Sequence, residues 1–191
     1  MNDSKKLKLV CSAMLQSWRI QGLGPRDRYT ELHPTKSGIV GMIACALGYE
    51  RGDPRIQQLF NKTELYFDKA KSGSIICNTE NGTAISGQSI DTLIDFQVVR
   101  APKIGMQTAS GKKTKESFDA TLIYKEYIIG HRFVLYLISD DDTLSMIEEA
   151  LAAPVWQYYL GSKCCVPTEP VGQGISDVKE GELNDYQHIR I

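Results

Sequence analysis

The run His131-Arg132-Phe133-Val134-Leu135-Tyr136-Leu137-Ile138 reads as the clearest β-strand in the chain. Aromatic, branched and leucine side chains fill it, and these favour a pleated, half-buried surface. Downstream, Thr143–Ala152 reads as a helix with Asp142 or Thr143 as its cap and Pro154 as its stop. Upstream, residues 7–15 read as a buried first strand, preceded by a polar lead-in. An irregular Gly-, Pro- and Arg-rich segment runs from Gln16 to His33, long enough to suggest a role of its own. A helix is expected over 36–48 and a shorter one near 54–60. Leu65-Tyr66-Phe67 and Ile75-Ile76-Cys77 read as short strands joined through Lys71-Ser72-Gly73.

From Asn78 to about 122 the pattern loosens into Gly, Ser, Thr and Lys. Thr92–Val99 and Phe118–Ile123 keep strand alternation, with a polar, basic tip at Gly105–Lys115 between them. This is an extended β-hairpin inserted before the 131–138 strand. The resulting order is an α+β, ferredoxin-like (RRM-like) plan in one domain, residues 5–171, with an insertion at 78–122. Residues 172–191 are polar with sparse apolar side chains, and read as a tail that frays or docks only on a partner.

Hydrophobic residues make up 42% of the 191 and charged ones 24%, an ordinary globular composition. The apolar run Ile39–Leu47 is too short to span a bilayer, and no signal peptide opens the chain, so a cytoplasmic protein without a membrane partner is expected. Five cysteines, odd in number and without a Cys-x-x-Cys pair, and three separated histidines argue against a zinc site or a disulfide framework. No metal and no cofactor is expected.

The net charge of −1 conceals a polarity. Between Phe96 and Lys115 there are five bases (Arg100, Lys103, Lys112, Lys113, Lys115) and no acids. Asp140–Glu149 holds five acids (Asp140, Asp141, Asp142, Glu148, Glu149) and no bases. Such a molecule can hold a phosphate backbone on one side; the basic window reads equally as a solvated loop. In Pro34-Thr35-Lys36-Ser37-Gly38, Thr35 or Ser37 caps the helix, its unpaired amides and dipole favour an anion, and Lys36 adds a charge. A plain capped core helix is the alternative.

Gln16-Ser17-Trp18, then Pro34-Thr35-Lys36-Ser37-Gly38-Ile39-Val40-Gly41, then Pro154–Pro167 containing Tyr158-Tyr159-Leu160-Gly161-Ser162-Lys163-Cys164-Cys165 stand in order along the chain. Together they resemble the CasD (Cas-five) family of RAMP subunits of the type I-E CRISPR Cascade complex, over roughly residues 7–171. The resemblance implies a ferredoxin-like RAMP domain with a protruding thumb, here 78–122. It implies a non-catalytic subunit that caps the complex and holds the 5′ handle of the CRISPR RNA. The thumb would reach the adjacent backbone subunit of the filament, the large subunit would be a further partner, and target DNA would be met indirectly. The handle surface would involve Gln16, Trp18, the 34–38 helix start and the Tyr159–Cys164 segment.

An RNA handle is held by stacking and by amide and cationic contacts to phosphates. Trp18 is a stacking platform or a lid on the core. Arg26 and Arg28 fork onto phosphates or pair with Asp27. Thr35, Ser37 and Gly38 offer the helix start, and Tyr159, Gly161 and Lys163 a turn presenting amides and a charge; a packed tyrosine pair is the alternative there. Metal-free cleavage of repeat RNA, the activity of similar type I-C subunits, needs a base and an acid held together. His33, Tyr29 and Lys36 are the one such trio. A protein-interaction module without RNA would suit the acidic segment and the tail, but leaves the basic excursion unexplained.

Overall fold

A computed structural model describes residues 5–20, 26–78, 82–86, 89–100, 120–179 and 181–189. In chain order its elements are β1 (Lys5–Gln16), β2 (Asp27–Arg28), α1 (Lys36–Ala46), α2 (Pro54–Lys62), β3 (Glu64–Asn78), β4 (Gly82–Ser86), β5 (Thr92–Arg100), β6 (Ala120–Ser139), α3 (Asp141–Ala152), β7 (Gly172–Asp177) and β8 (Gln187–Ile189). A 3₁₀ turn at Glu182–Asp185 precedes β8.

The strand that contains 131–138 is far longer than its local pattern suggests: β6 runs for 20 residues. Its C-terminal half pairs antiparallel with β1, from Lys5↔Ser139 to Gln16↔Ile128, and by its other edge with β3. Its N-terminal half pairs with β5 from Thr92↔Ile128 to Arg100↔Ala120, which is the base of the inserted ribbon. The main sheet order is β4-β3-β6-β1-β7. With α1 after β1 and α3 after β6, the path β3-β6-β1-β7 is the ferredoxin-like arrangement.

The core follows from period-two and period-3.6 patterning. Leu7, Leu9, Cys11 and Ala13 of β1 and Phe133, Leu135 and Leu137 of β6 face the helices. There they meet Ile39, Val40 and Ile43 of α1 and Leu144, Ile147 and Leu151 of α3, all buried. Each leucine, isoleucine, valine and phenylalanine among them contributes about 1.5–3 kcal/mol through burial. The cap of α3 is Asp140, two to three residues ahead of the expected Asp142 or Thr143. Its carboxylate accepts from the Thr143 backbone N–H at 3.0 Å and from the Thr143 hydroxyl, which holds the Asp140 carboxyl down at about 2. The acidic block thus begins as a helix start, with Asp141 and Asp142 in the first turn where the dipole favours them.

The expectation of a frayed tail beyond residue 171 is corrected. β7 pairs with β1 and supplies the fourth strand of the ferredoxin-like unit, so the boundary placed at 171 cuts through that unit. β8 pairs with β3 at Leu65↔Ile189 and Phe67↔Gln187. The segment crosses the sheet face opposite the helices, where Tyr186 stacks on Tyr136 at 4.8 Å, His188 meets Tyr66 at 4.7 Å, and Lys6 pairs with Glu182. These strands carry one apolar residue each, Ile175 and Ile189, too few for a periodic signal. Their partners lie more than 100 residues away in sequence. The two segments read as 65–67 and 75–77 are parts of one strand, β3, with an irregularity between Asp68 and Gly73.

Ile189 is buried in the main core. Ile189→Ala is expected to lower stability by about 2 kcal/mol or more. Urea denaturation of the two proteins checks this; an unchanged midpoint would mean that the segment contributes nothing to the folded core.

Candidate nucleic-acid interface

The irregular segment after β1 is folded by Thr30. The Trp18 backbone N–H donates to the Thr30 hydroxyl at 2.7 Å, and Glu31 N–H donates to Trp18 O at 2.6 Å. The Thr30 N–H donates to the Glu126 carboxylate at 3.1 Å, and Tyr124 N–H donates to Arg26 O at 2.9 Å. These bonds tie the segment to β6, and β2 runs parallel to it with Arg28 opposite Lys125. Two cationic side chains 97 residues apart in sequence are thereby set side by side.

A second close approach joins β1 to the turn after α3. Ser17 N–H donates to Leu160 O at 3.0 Å, and Leu160 N–H donates to Cys165 O at 2.9 Å. Gly161 lies at φ +105°, and a β-carbon there would collide with the Ser17 carbonyl. The same packing brings α1 onto Trp18: a β-carbon on Gly38 would sit 2.9 Å from Trp18 Cε3. Only glycine fits either position without displacing a neighbour.

Between these segments opens a groove of about 470 Å³. Ser17, Arg19, Arg28 and Lys125 line one side, the start of α1 with Thr35, Ser37, Gly38 and Gly41 the floor, and Tyr158, Tyr159, Gly161 and Ser162 the other side. Thr35 is the N-cap, its hydroxyl accepting from Gly38 N–H at 3.1 Å. The helical ladder begins with Ile39 N–H to Thr35 O, so the N–H groups of Lys36 and Ser37 have no helix carbonyl to reach. No acidic residue occupies the first turn. Helix dipole, open amides and three nearby cations make this groove suited to an anion with extended backbone, such as a phosphodiester.

The expected site residues divide. Thr35, Ser37, Gly38, Arg28, Tyr159 and Gly161 come together in the groove. Trp18 lines it but is only 1% exposed, and its indole N–H donates to Gln16 Oε1, so it is a core lid rather than a stacking platform. Gln16 is fully buried, its amide donating to the carbonyls of Cys11 and His131. Both fix the groove wall from beneath. The Lys36 ammonium sits 4.3 Å over the Phe60 ring of α2 and is not among the residues lining the groove. Arg26 is exposed beside β2, and Arg100 lies at the end of β5. Lys163 lines a separate hollow against Asp95, Phe96 and Lys125 at the ribbon base. Lys103, Lys112, Lys113 and Lys115 lie outside the described residues. The Tyr158 hydroxyl donates to Leu151 O at 3.1 Å as a packing contact, and both Tyr158 and Tyr159 line the groove.

The candidate catalytic residues take other neighbours. The His33 ring bonds the Pro34 carbonyl at 3.1 Å through Nδ1 and stacks on Phe67, Lys36 lies over Phe60, and none of His33, Tyr29 and Lys36 lines the groove. Among the described residues no three His, Cys, Asp or Glu side chains converge as metal ligands, and no helix is long and apolar enough to cross a membrane. Arg19 and Lys125 are groove residues that motif reading passed over. Arg19 adjoins the Trp18 motif, while nothing local marks Lys125, whose role comes from strand pairing.

Residues 7–189 match the family model described as CRISPR-associated protein (Cas_Cas5). The chain belongs to that family. It is 24% identical over 187 residues to the CRISPR system Cascade subunit CasD of Escherichia coli (strain K12), covering 93% of this chain and 75% of the relative. Among solved structures it is similar to a chain of a CRISPR RNA-guided surveillance complex, with a TM-score of 0.64 and 25% identity over 87% of this chain. It spans 61% of that subunit's length. The crystal structure of a Cas protein shares the fold at a TM-score of 0.54 and 20% identity, over 94% of this chain and 68% of the other.

Gly161→Ala is expected to cost about 3 kcal/mol or more, since the substitution adds both a steric collision and backbone strain. Chemical denaturation measures this directly; a loss below about 0.5 kcal/mol would show that the Ser17–Gly161 approach is not tight.

Proposed function

We propose that this chain is a non-catalytic subunit of a Cascade-type complex, of type I-E, that holds the 5′ handle of the CRISPR RNA in the groove at the start of α1. The observation that carries this reading is the meeting of Arg19, Arg28 and Lys125 with the uncapped amides of α1 in one groove. Phosphates of the handle lie along that floor, and the RNA is recognised by shape and backbone while guide sequence is left to base pairing. The subunit caps one end of the complex in the cytoplasm. Family likeness supports this assembly role, as does the similarity to a chain of a surveillance complex.

The ribbon built by β5 and β6, the described part of a thumb over 78–122 whose basic window lies outside the described residues, contacts the adjacent backbone subunit. What supports this is its surface: Ile94, Phe96, Val98, Leu122 and Tyr124 alternate onto one face and are all exposed. Apolar side chains gathered on one strand face mark a surface built for a partner. The large subunit is a further neighbour, and target DNA is met through the assembled guide.

Arg28→Glu combined with Lys125→Glu is expected to weaken binding of a handle-containing RNA by at least tenfold and to lower the salt slope by about two units. Filter binding across a salt series measures both, with circular dichroism confirming the fold; unchanged affinity and slope would remove the groove from the RNA path. A second experiment incubates end-labelled repeat RNA with the protein, with and without EDTA, and resolves the products on a denaturing gel. Intact RNA is expected. A discrete cut that survives EDTA would make the chain a metal-independent endoribonuclease and reopen the roles of His33, Tyr29 and Lys36.

A further inference from the structure

We propose that Cys164 and Cys165 form a redox modification site, in which a hydroperoxide converts the two thiols into a vicinal disulfide and so reshapes one wall of the groove. The two sulfurs already lie 3.9 Å apart, in van der Waals contact. Cys164 is exposed, whereas Cys165 is fully buried. An oxidant therefore meets Cys164 first, and needs no path to Cys165. Burial pushes the Cys165 thiol up to about 12 and keeps it protonated.

The chemistry balances in two steps. The Cys164 sulfur attacks the peroxide O–O bond, giving a sulfenic acid and releasing the other oxygen as water or alcohol. The Cys165 sulfur then attacks the Cys164 sulfur; the S–O bond breaks, and the departing hydroxide leaves as water with the Cys165 proton. Two electrons pass from the pair to the peroxide, and no further reagent is consumed.

Ring closure cannot leave the loop unchanged. Adjacent α-carbons stand about 3.8 Å apart, below the roughly 4.4–6.8 Å spanned by ordinary disulfides, so closing the eight-membered ring forces the backbone torsions on both sides of the Cys164–Cys165 peptide to change. Cys165 N–H donates to Ser162 O at 2.8 Å, and its carbonyl accepts from Leu160 N–H at 2.9 Å. Leu160 O in turn accepts from Ser17 N–H. Turning that peptide disturbs the bonds that set Gly161 against Ser17, the seam between two sides of the groove. Cys11 is buried and Cys45 donates to the carbonyls of Trp156 and Gln157, and neither is paired with a second thiol in this way.

The full chain is treated with hydrogen peroxide, alkylated, and digested with trypsin, which releases both cysteines in the peptide Cys164–Lys179. The expected peptide is about 2 Da lighter than its reduced, unalkylated form, and dithiothreitol restores it. Hydrogen exchange at the Ser17 amide is expected to rise at least about threefold on oxidation and to stay at the reduced rate in Cys164→Ser. Two alkylated cysteines after peroxide, or a sulfinic acid on Cys164 beside an alkylated Cys165, would overturn the site. A lighter peptide with unchanged Ser17 exchange would overturn its coupling to the groove. A fall in handle RNA affinity of about tenfold on oxidation is the further consequence, and it rests on the handle-binding reading. No RNA binding in either redox state, with peptide and exchange behaving as expected, would sink that reading and leave the redox site standing.

Discussion

Two backbone segments touch where β1 ends and where the turn after α3 folds back, and the groove depends on that touch. Ser17 N–H reaches Leu160 O at 3.0 Å, and Gly161 presses against the Ser17 carbonyl with no room for a side chain. One residue further on, Trp18 slides beneath Gly38 at the start of α1. Three pieces of chain, near residues 17, 38 and 161, are locked at a common point by shape rather than by charge. Close packing of this kind is unforgiving, because interiors at crystal density pass small displacements to their neighbours. It also holds Arg19, the α1 amides and Tyr159 in a fixed relation before any ligand arrives, which is the usual route to affinity without ordering cost.

The same contact explains why the three sequence blocks belong together. Read singly, Gln16-Ser17-Trp18 looks like a strand end, Thr35–Gly38 like a helix cap, and Leu160-Gly161 like a turn. Folded, they are one packing unit seen from three sides. Charge is layered onto this frame afterwards. The acids at Asp140–Asp142 serve the start of α3, with Lys62 and Lys5 alongside, at 3.3 and 2.6 Å. Exposed pairs of that sort contribute little to stability, about 1 kcal/mol at most. Their effect is to keep negative charge occupied at a helix start, away from the groove lining.

Long elements with strong local pattern were legible in the sequence, and those defined by a distant partner were not. The 131–138 strand, the 36–46 helix and the strand pair of the inserted hairpin announce themselves through alternation or capping. β7 and β8 do not, because each is a few residues of polar chain made into a strand by an edge that was waiting for it. Trp18 was ambiguous for a physical reason: its large ring and polar N–H suit a wet surface or a satisfied interior equally, and the Gln16 side chain decided the matter. Lys36 was open for a similar reason: its flexible stem lets the ammonium choose among neighbours, and here it lies over the Phe60 face. Lys125 was invisible, since only the parallel pairing of β2 with β6 brings it beside Arg28.

β6 passes without interruption from the ribbon into the middle of the sheet, bonded to β5 along residues 120–128 and to β1 along 128–139. Nine residues of paired strand extend about 30 Å. Mechanically this is a lever whose fulcrum is the core itself. Lys125 sits on its arm, so a push applied to the apolar face by a docking neighbour tilts a cation that also borders the groove. The one glycine along it, Gly130 at φ +48°, stands where arm meets sheet, so a load on the arm bends the strand at that point rather than along its length.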